Sequence, residues 1–196
     1  MRIISGNFKG KKILLPKDKL TRPLKDLTKE SIFNIIEHSK LLDINIKNSN
    51  ILDLFSGVGS FGLECLSRGA SSVIFLESYK EVITVLKKNI DNMKQQNYSK
   101  IIEKDVFAPN TLRVLNNKFD IIFMDPPYKE KKLEDLLNKI IGLRLLKDNG
   151  IIIIHRHKKE EDIFPNEFNI IINKNYGVSK IKLNSLGRSS PSFLCL

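Results

Sequence analysis

The sequence predicts a doubly wound α/β fold, and three observations carry that prediction. Five short runs are almost wholly apolar: ILDLF (51–55), SVIFLE (72–77), KIIEKD (100–105), FDIIFMD (119–125) and GIIIIH (150–155). Strands look like this when helices cover both faces of a parallel sheet. Amphipathic segments alternate with the runs, and a glycine-rich turn follows the first of them, where such folds usually receive a ligand. A chain of 196 residues is long enough for one such domain with a sizeable core and too short for two.

Taken in order, RIISGNFKGKKILLP holds two apolar runs about a turn containing Asn7 and Gly10, which predicts a basic β-hairpin. Pro16 and Pro23 bracket a connection, so residues 1–23 are expected as an extension and 24–196 as one compact unit. Between Lys25 and His38, the residues Leu27, Ile32, Phe33, Ile35 and Ile36 form a helical stripe. Val82, Ile83, Leu86, Ile90 and Met93 mark a second amphipathic helix, and Leu133, Leu136, Leu137 and Ile140 a third. The runs FNIIIN and VSKIKLN follow too closely to hold a helix between them and are expected as antiparallel strands at one edge.

The formal charge is +11, and residues 1–29 alone contribute a net +7. Clustered cations suit a polyphosphate, because neutralising phosphates releases condensed counterions. Lys9, Lys11 and Lys12 are the natural contacts. Cys65 and Cys195 are too few and too far apart for a disulfide framework or a metal spacing. The N-terminus lacks the apolar core of a signal peptide, and no run approaches a membrane span. A soluble, cytoplasmic protein is expected.

Within LDLFSGVGSFGLE, Gly57, Gly59 and Gly62 spell GxGxxG. Such glycines let backbone approach a ligand, and the helix that follows points free N–H groups at an anion, which could be a pyrophosphate or an amino-acid carboxylate. Asp53 favours the second. Its carboxylate would repel pyrophosphate but stabilise the α-ammonium of a methionine moiety. S-adenosylmethionine carries both groups and no phosphate. Glu77, ending the second run, suits ribose hydroxyls, and Asp105, ending the third, suits the adenine amine. Phe55 completes the expected cofactor set.

The fourth run ends in Asp125, Pro126, Pro127 and Tyr128. Consecutive prolines fix φ and remove donors, leaving rigid carbonyl acceptors. A nucleobase amine is a poor nucleophile because its lone pair is delocalised into the ring. If the Asp125 carboxylate and the Pro126 carbonyl each accept one N–H, the nitrogen is drawn toward tetrahedral geometry and aimed at a sulfonium methyl. Tyr128 supplies a ring on which a flipped base can stack. No metal is needed: His155 and His157 share a strand face, but no further ligand lies near them in sequence. The run KKEED (158–162) reads as a solvated loop.

On RIISGNFKGKK, RPLKDLTKESIFN (22–34), LDLFSGVGSFGLECLSRGA (52–70) and MDPPY (124–128), the chain resembles the bacterial 16S ribosomal RNA guanine-N2 methyltransferases over essentially its whole length. The resemblance implies a Rossmann-like methyltransferase domain using S-adenosylmethionine. It also implies a guanine of 16S ribosomal RNA as substrate, met within the small ribosomal subunit; nothing in the sequence demands more than a monomer. Cofactor contacts would fall at Asp53, Gly57, Gly59, Glu77 and Asp105, and amine capture at Asp125, Pro126 and Tyr128. Arg22 keeps the family pattern and joins the RNA contacts. Leu24 and Lys25 depart from it, standing where the family usually has threonines.

Four alternatives compete, of which a glutamine methyltransferase of the release-factor type is set aside because that family typically has Asn where this chain has Asp125. A DNA adenine-N6 methyltransferase would use the same DPPY chemistry, but little chain remains for a region that reads base edges. A NAD-dependent oxidoreductase would explain the glycines and leave DPPY unexplained. A non-catalytic RNA-binding protein would have no use for Asp125.

Overall fold

The computed structural model describes residues 1–17 and 24–185; Arg22 and Cys195 lie outside the described residues. After α1 (Asp26–His38), the chain alternates β1 (Asn50–Leu54), α2 (Ser60–Ser67), β2 (Ser72–Glu77), α3 (Lys80–Met93), β3 (Ser99–Glu103) and β4 (Phe119–Met124). It continues through α4 (Leu133–Gly142), β5 (Leu146–His157), β6 (Asn169–Tyr176) and β7 (Ser179–Ser185). The strands form one seven-stranded sheet in the order β3-β2-β1-β4-β5-β7-β6. The first five are parallel, and β7 and β6 add the antiparallel edge that two closely spaced apolar runs led us to expect. Gly177, at φ 59°, closes the β6–β7 turn, which a short hairpin requires of its first central residue.

Alternation along each strand divides the core. Ile51, Val73, Phe75, Ile121 and Phe123 face α1, α2 and α3, where Phe61 stacks between Phe33 and Phe123. Their neighbours Leu52, Leu54, Leu76, Ile122 and Met124 face α4. Each fully buried side chain of this kind contributes about 1.5–3 kcal/mol. Strand order reverses between β1 and β4, so helices leave the sheet to opposite faces there and open a crevice at the strand ends.

One expectation needs correction. No α-helix joins β3 to β4; a single 3₁₀ turn, Leu112–Val114, stands there, after Pro109 and a left-handed Asn110 that interrupt any longer helix. The N-terminal segment folds back on itself as a short, irregular hairpin, in which Ile3 N–H donates to the Lys11 carbonyl at 2.9 Å, Gly10 N–H to the Ile3 carbonyl at 2.9 Å and Ile13 N–H to the Met1 carbonyl at 3.1 Å. Its regular pairing is limited to the antiparallel bridge of Arg2 with Lys12, because the N–H groups nearer the turn, those of Ile4, Ser5, Asn7 and Phe8, donate to α2. Glu64 accepts from Ile4 and Ser5 at 2.7 and 2.9 Å, and the Ser67 hydroxyl accepts from Phe8 at 2.9 Å. Residues 1–13 thus lie as a strap on the helix that follows the glycine turn. Ile3 and Ile13 are buried in the core, and a Cβ at Gly6 would meet the Ser67 carbonyl at 1.9 Å. Farther along, Asn89 of α3 exchanges hydrogen bonds with Leu14 and donates to the Val58 carbonyl of the glycine turn. Among the described residues no helix is long and apolar enough to cross a membrane.

Candidate active site

The crevice is a cleft of about 570 Å3 at the ends of β1, β2, β3 and β4. Register explains its composition. Leu54 pairs with Leu76 on one side and Met124 on the other, so the next residues, Phe55, Glu77 and Asp125, emerge level with one another.

The glycine turn forms one wall. Phe55 and Gly57 line the cleft and both take positive φ, 59° and 54°; the left-handed conformation at a bulky residue such as Phe55 is a strain typical of ligand-binding turns. The Gly57 N–H donates to Glu77 at 2.8 Å, tying the turn to the end of β2. Gly59 and Gly62 have packing tasks. A Cβ on Gly59 would lie 2.5 Å from Leu86, and one on Gly62 would lie 2.4 Å from the Phe75 ring. Asp53 sits behind the turn, 1% exposed, and accepts the Gly62 N–H at 3.0 Å. Burial raises its pKa well above the ordinary 3.8 against the pull of that hydrogen bond, and the charges of Asp125 and Glu77 push the same way. Asp105 accepts the Phe107 N–H at 2.9 Å, and the Phe55 and Phe107 rings stand 5.9 Å apart. Glu77, Asp105 and Asp125 all line the cleft, with Asp53 just behind it; the exposed Lys25 at the start of α1 is the lining cation among the described residues. Such a field favours a cationic ligand over a pyrophosphate.

The DPPY segment forms the opposite wall. Asp125, Pro126 and Tyr128 line the cleft, and Tyr128 meets His157 edge-on at 5.0 Å. Two residues of β5 support this wall, neither with a role legible in sequence. His155 Nδ1 lies 2.8 Å from an Asp125 oxygen. Arg156, 1% exposed, donates to the Pro127 and Glu130 carbonyls at 2.9 and 3.1 Å while pairing with Asp162 at 2.8 Å. Asp162 corrects the reading of KKEED as a wholly solvated loop, since its side chain is 4% exposed. The burial of Arg156 decides this: a guanidinium taken out of water needs a carboxylate. His155 and His157, two residues apart on one strand, are committed to Asp125 and to Tyr128.

Of the expected RNA contacts, Lys9, Lys11 and Lys12 are exposed on the strap. Leu24 is buried and Lys25 is at the cleft, so the two departures from the family pattern occupy different environments. Lys29 is fully buried; it donates to the Arg2 carbonyl at 2.7 Å and faces Glu64 at 3.7 Å.

The family model described as conserved hypothetical protein 95 matches residues 1–185. Ribosomal RNA small subunit methyltransferase D of Buchnera aphidicola subsp. Acyrthosiphon pisum is 34% identical over 86% of this chain and 84% of its own length. The chain belongs to this family of small-subunit ribosomal RNA methyltransferases. The Haemophilus influenzae protein of the same name is 32% identical across 93% of this chain and 92% of its own length. Among solved structures, a candidate methyltransferase of Escherichia coli, yhhF, superposes with a TM-score of 0.77 at 25% identity, over 95% of this chain and 97% of that one. In this methyltransferase family the sheet is the Rossmann-like one described above, and the strap is part of the matched region.

Proposed function

We propose that the protein transfers a methyl group from S-adenosylmethionine to the exocyclic N2 amine of a guanine in 16S ribosomal RNA. One observation carries the reading: the glycine turn and DPPY ride on adjacent parallel strands, so a methyl donor on one and an amine acceptor on the other would meet in a single acidic cleft. S-adenosylmethionine would supply an activated methyl on a positively charged sulfur. The residues present fit it. Gly57 permits close backbone approach, Glu77 can accept from ribose hydroxyls, Asp105 can accept from the adenine amine, and Phe55 with Phe107 offers an apolar wall. A bound ammonium or sulfonium would in turn favour the ionised form of Asp53 behind the turn.

On the acceptor side, Asp125 and the Pro126 carbonyl each take one N–H of the amine, and Tyr128 stacks on the base. The nitrogen lone pair would thereby be directed at the methyl of a bound donor. The C–N bond would form as the C–S electron pair goes to sulfur, and the methylated nitrogen would release its proton to water. Position and electrostatics supply the catalysis. The choice of guanine rests on the resemblance to the family as a whole, since DPPY chemistry serves an adenine amine equally, and the relatives' substrate suggests the small ribosomal subunit as the natural setting. Monomeric action in the cytoplasm suits that setting.

The test is to incubate the protein with methyl-labelled S-adenosylmethionine and undermethylated small subunits, free 16S RNA or duplex DNA, then identify the labelled nucleoside. N2-methylguanosine is expected. N6-methyladenine in DNA would retain the cleft chemistry and discard the substrate, and saturable binding of NAD without methyl transfer would discard both.

A further inference from the structure

We infer that His155 is a positioning residue for Asp125: its Nδ1–H holds one carboxylate oxygen, so that the other is presented to the substrate amine. The inference rests on the proposed amine-capture role of Asp125 and adds a residue that role requires.

The placement follows from sheet register. Met124 pairs with Ile154 on the parallel neighbour β5, so the next residue of each strand, Asp125 and His155, stand side by side at the rim. The two atoms are 2.8 Å apart. An ionised carboxylate can only accept, so Nδ1 carries the hydrogen and the ring takes the Nδ1–H tautomer. His155 is 6% exposed, and its Nε2 is buried with no hydrogen-bond partner among the described residues. Nothing at Nε2 therefore competes for that proton. Strand stability does not ask for an imidazole here, because the four preceding positions, Ile151 to Ile154, fill the same buried strand with hydrocarbon. The histidine appears where the neighbouring strand delivers its carboxylate.

A carboxylate at a strand end can rotate about its side-chain bonds and exchange its two oxygens. An amine has to meet one oxygen and the Pro126 carbonyl together, and an error of about 1 Å in such geometry can reduce turnover about 100-fold. Fixing Oδ1 removes that freedom. Arg156, the next residue of β5, holds the Pro127 and Glu130 carbonyls beyond it, so one strand end steadies the capture segment at successive points.

The test compares His155→Asn, whose amide can donate from nearly the same place, with His155→Leu, of similar bulk but without a donor. Each variant is checked by thermal melting and by titration with S-adenosylmethionine before turnover is measured. Expected is a kcat loss of about 10- to 100-fold in His155→Leu with little change in KM or cofactor affinity, and substantial recovery in His155→Asn. Equal loss in both variants, or full kcat in His155→Leu, overturns the inference while leaving the proposed reaction intact. If the unaltered protein methylates no RNA offered, the amine-capture reading falls and this inference with it. Should His155→Leu fail to fold, nitrogen-15 spectra of the unaltered protein decide. A proton on Nδ1 that is lost from that nitrogen in Asp125→Ala supports the bond, and an Nε2–H tautomer overturns it.

Discussion

Asp125→Ala removes the proposed acceptor for the substrate amine without touching the glycine turn. Methyl transfer should fall by about 100-fold or more, while calorimetric titration with S-adenosylmethionine remains close to that of the unaltered protein; parallel loss of both would assign Asp125 to the cofactor half. Asp53 is a different kind of carboxylate. Because burial raises its folded pKa above the ordinary 3.8, the folded state holds the proton more tightly than the unfolded chain does. The resulting stability is complete below about pH 4 and is lost as pH rises through the raised folded value. Asp53→Asn, which can still accept the Gly62 N–H, should therefore melt higher than the unaltered protein near neutral pH, with the gap closing toward pH 4, and should bind S-adenosylmethionine less well. A constant gap would show that ionisation is not its source. Glu77, Asp105 and Asp125 were legible in sequence because each ends an apolar run, and strand ends gather in such a sheet. His155, Arg156 and Glu64 were not, since what a buried polar side chain does depends on a partner 29 to 60 residues away.

At the scale of elements, the strap is held by backbone bonds between its own arms and by a buried ionic cluster beneath it. Glu64 accepts two strap N–H groups and faces Lys29 at 3.7 Å and Arg68 at 3.0 Å. Burial lowers the Lys29 pKa, and the Glu64 charge opposes that shift. Glu64→Gln should cost about 3–5 kcal/mol, as removal of one partner from a buried pair usually does. Hydrogen exchange should quicken at Ile4 and Ser5 well before it does in β1; unchanged protection there would mean that Ser67 and the buried Ile3 suffice. The five parallel strands and the antiparallel edge were legible because period and apolar content declare them. The return of the strap on itself was legible in its two apolar runs, but its docking was not, since only the side chains of α2 reveal that the N–H groups of Ile4, Ser5 and Phe8 are spent there.

For the molecule as a whole, charge is unevenly placed, with net +7 of the total +11 in residues 1–29, while four carboxylates surround the cleft. Such a division would draw a polyanion to the strap side and keep its phosphates out of the acidic crevice. Replacing Lys9, Lys11 and Lys12 by Gln should weaken RNA binding and lower the slope of log K against log salt by about 2 to 3, measured by filter binding across a salt series. An unchanged slope would remove the strap from the RNA surface.

The pairing of β1 with β4 also fixes a gauge. The roots of the two walls belong to one hydrogen-bonded ladder, about 4.8 Å apart as neighbouring strands are, so the wall that would hold the donor and the wall that would hold the amine cannot drift independently. The aim of acceptor at donor is then a property of the sheet itself, kept wherever the sheet is folded.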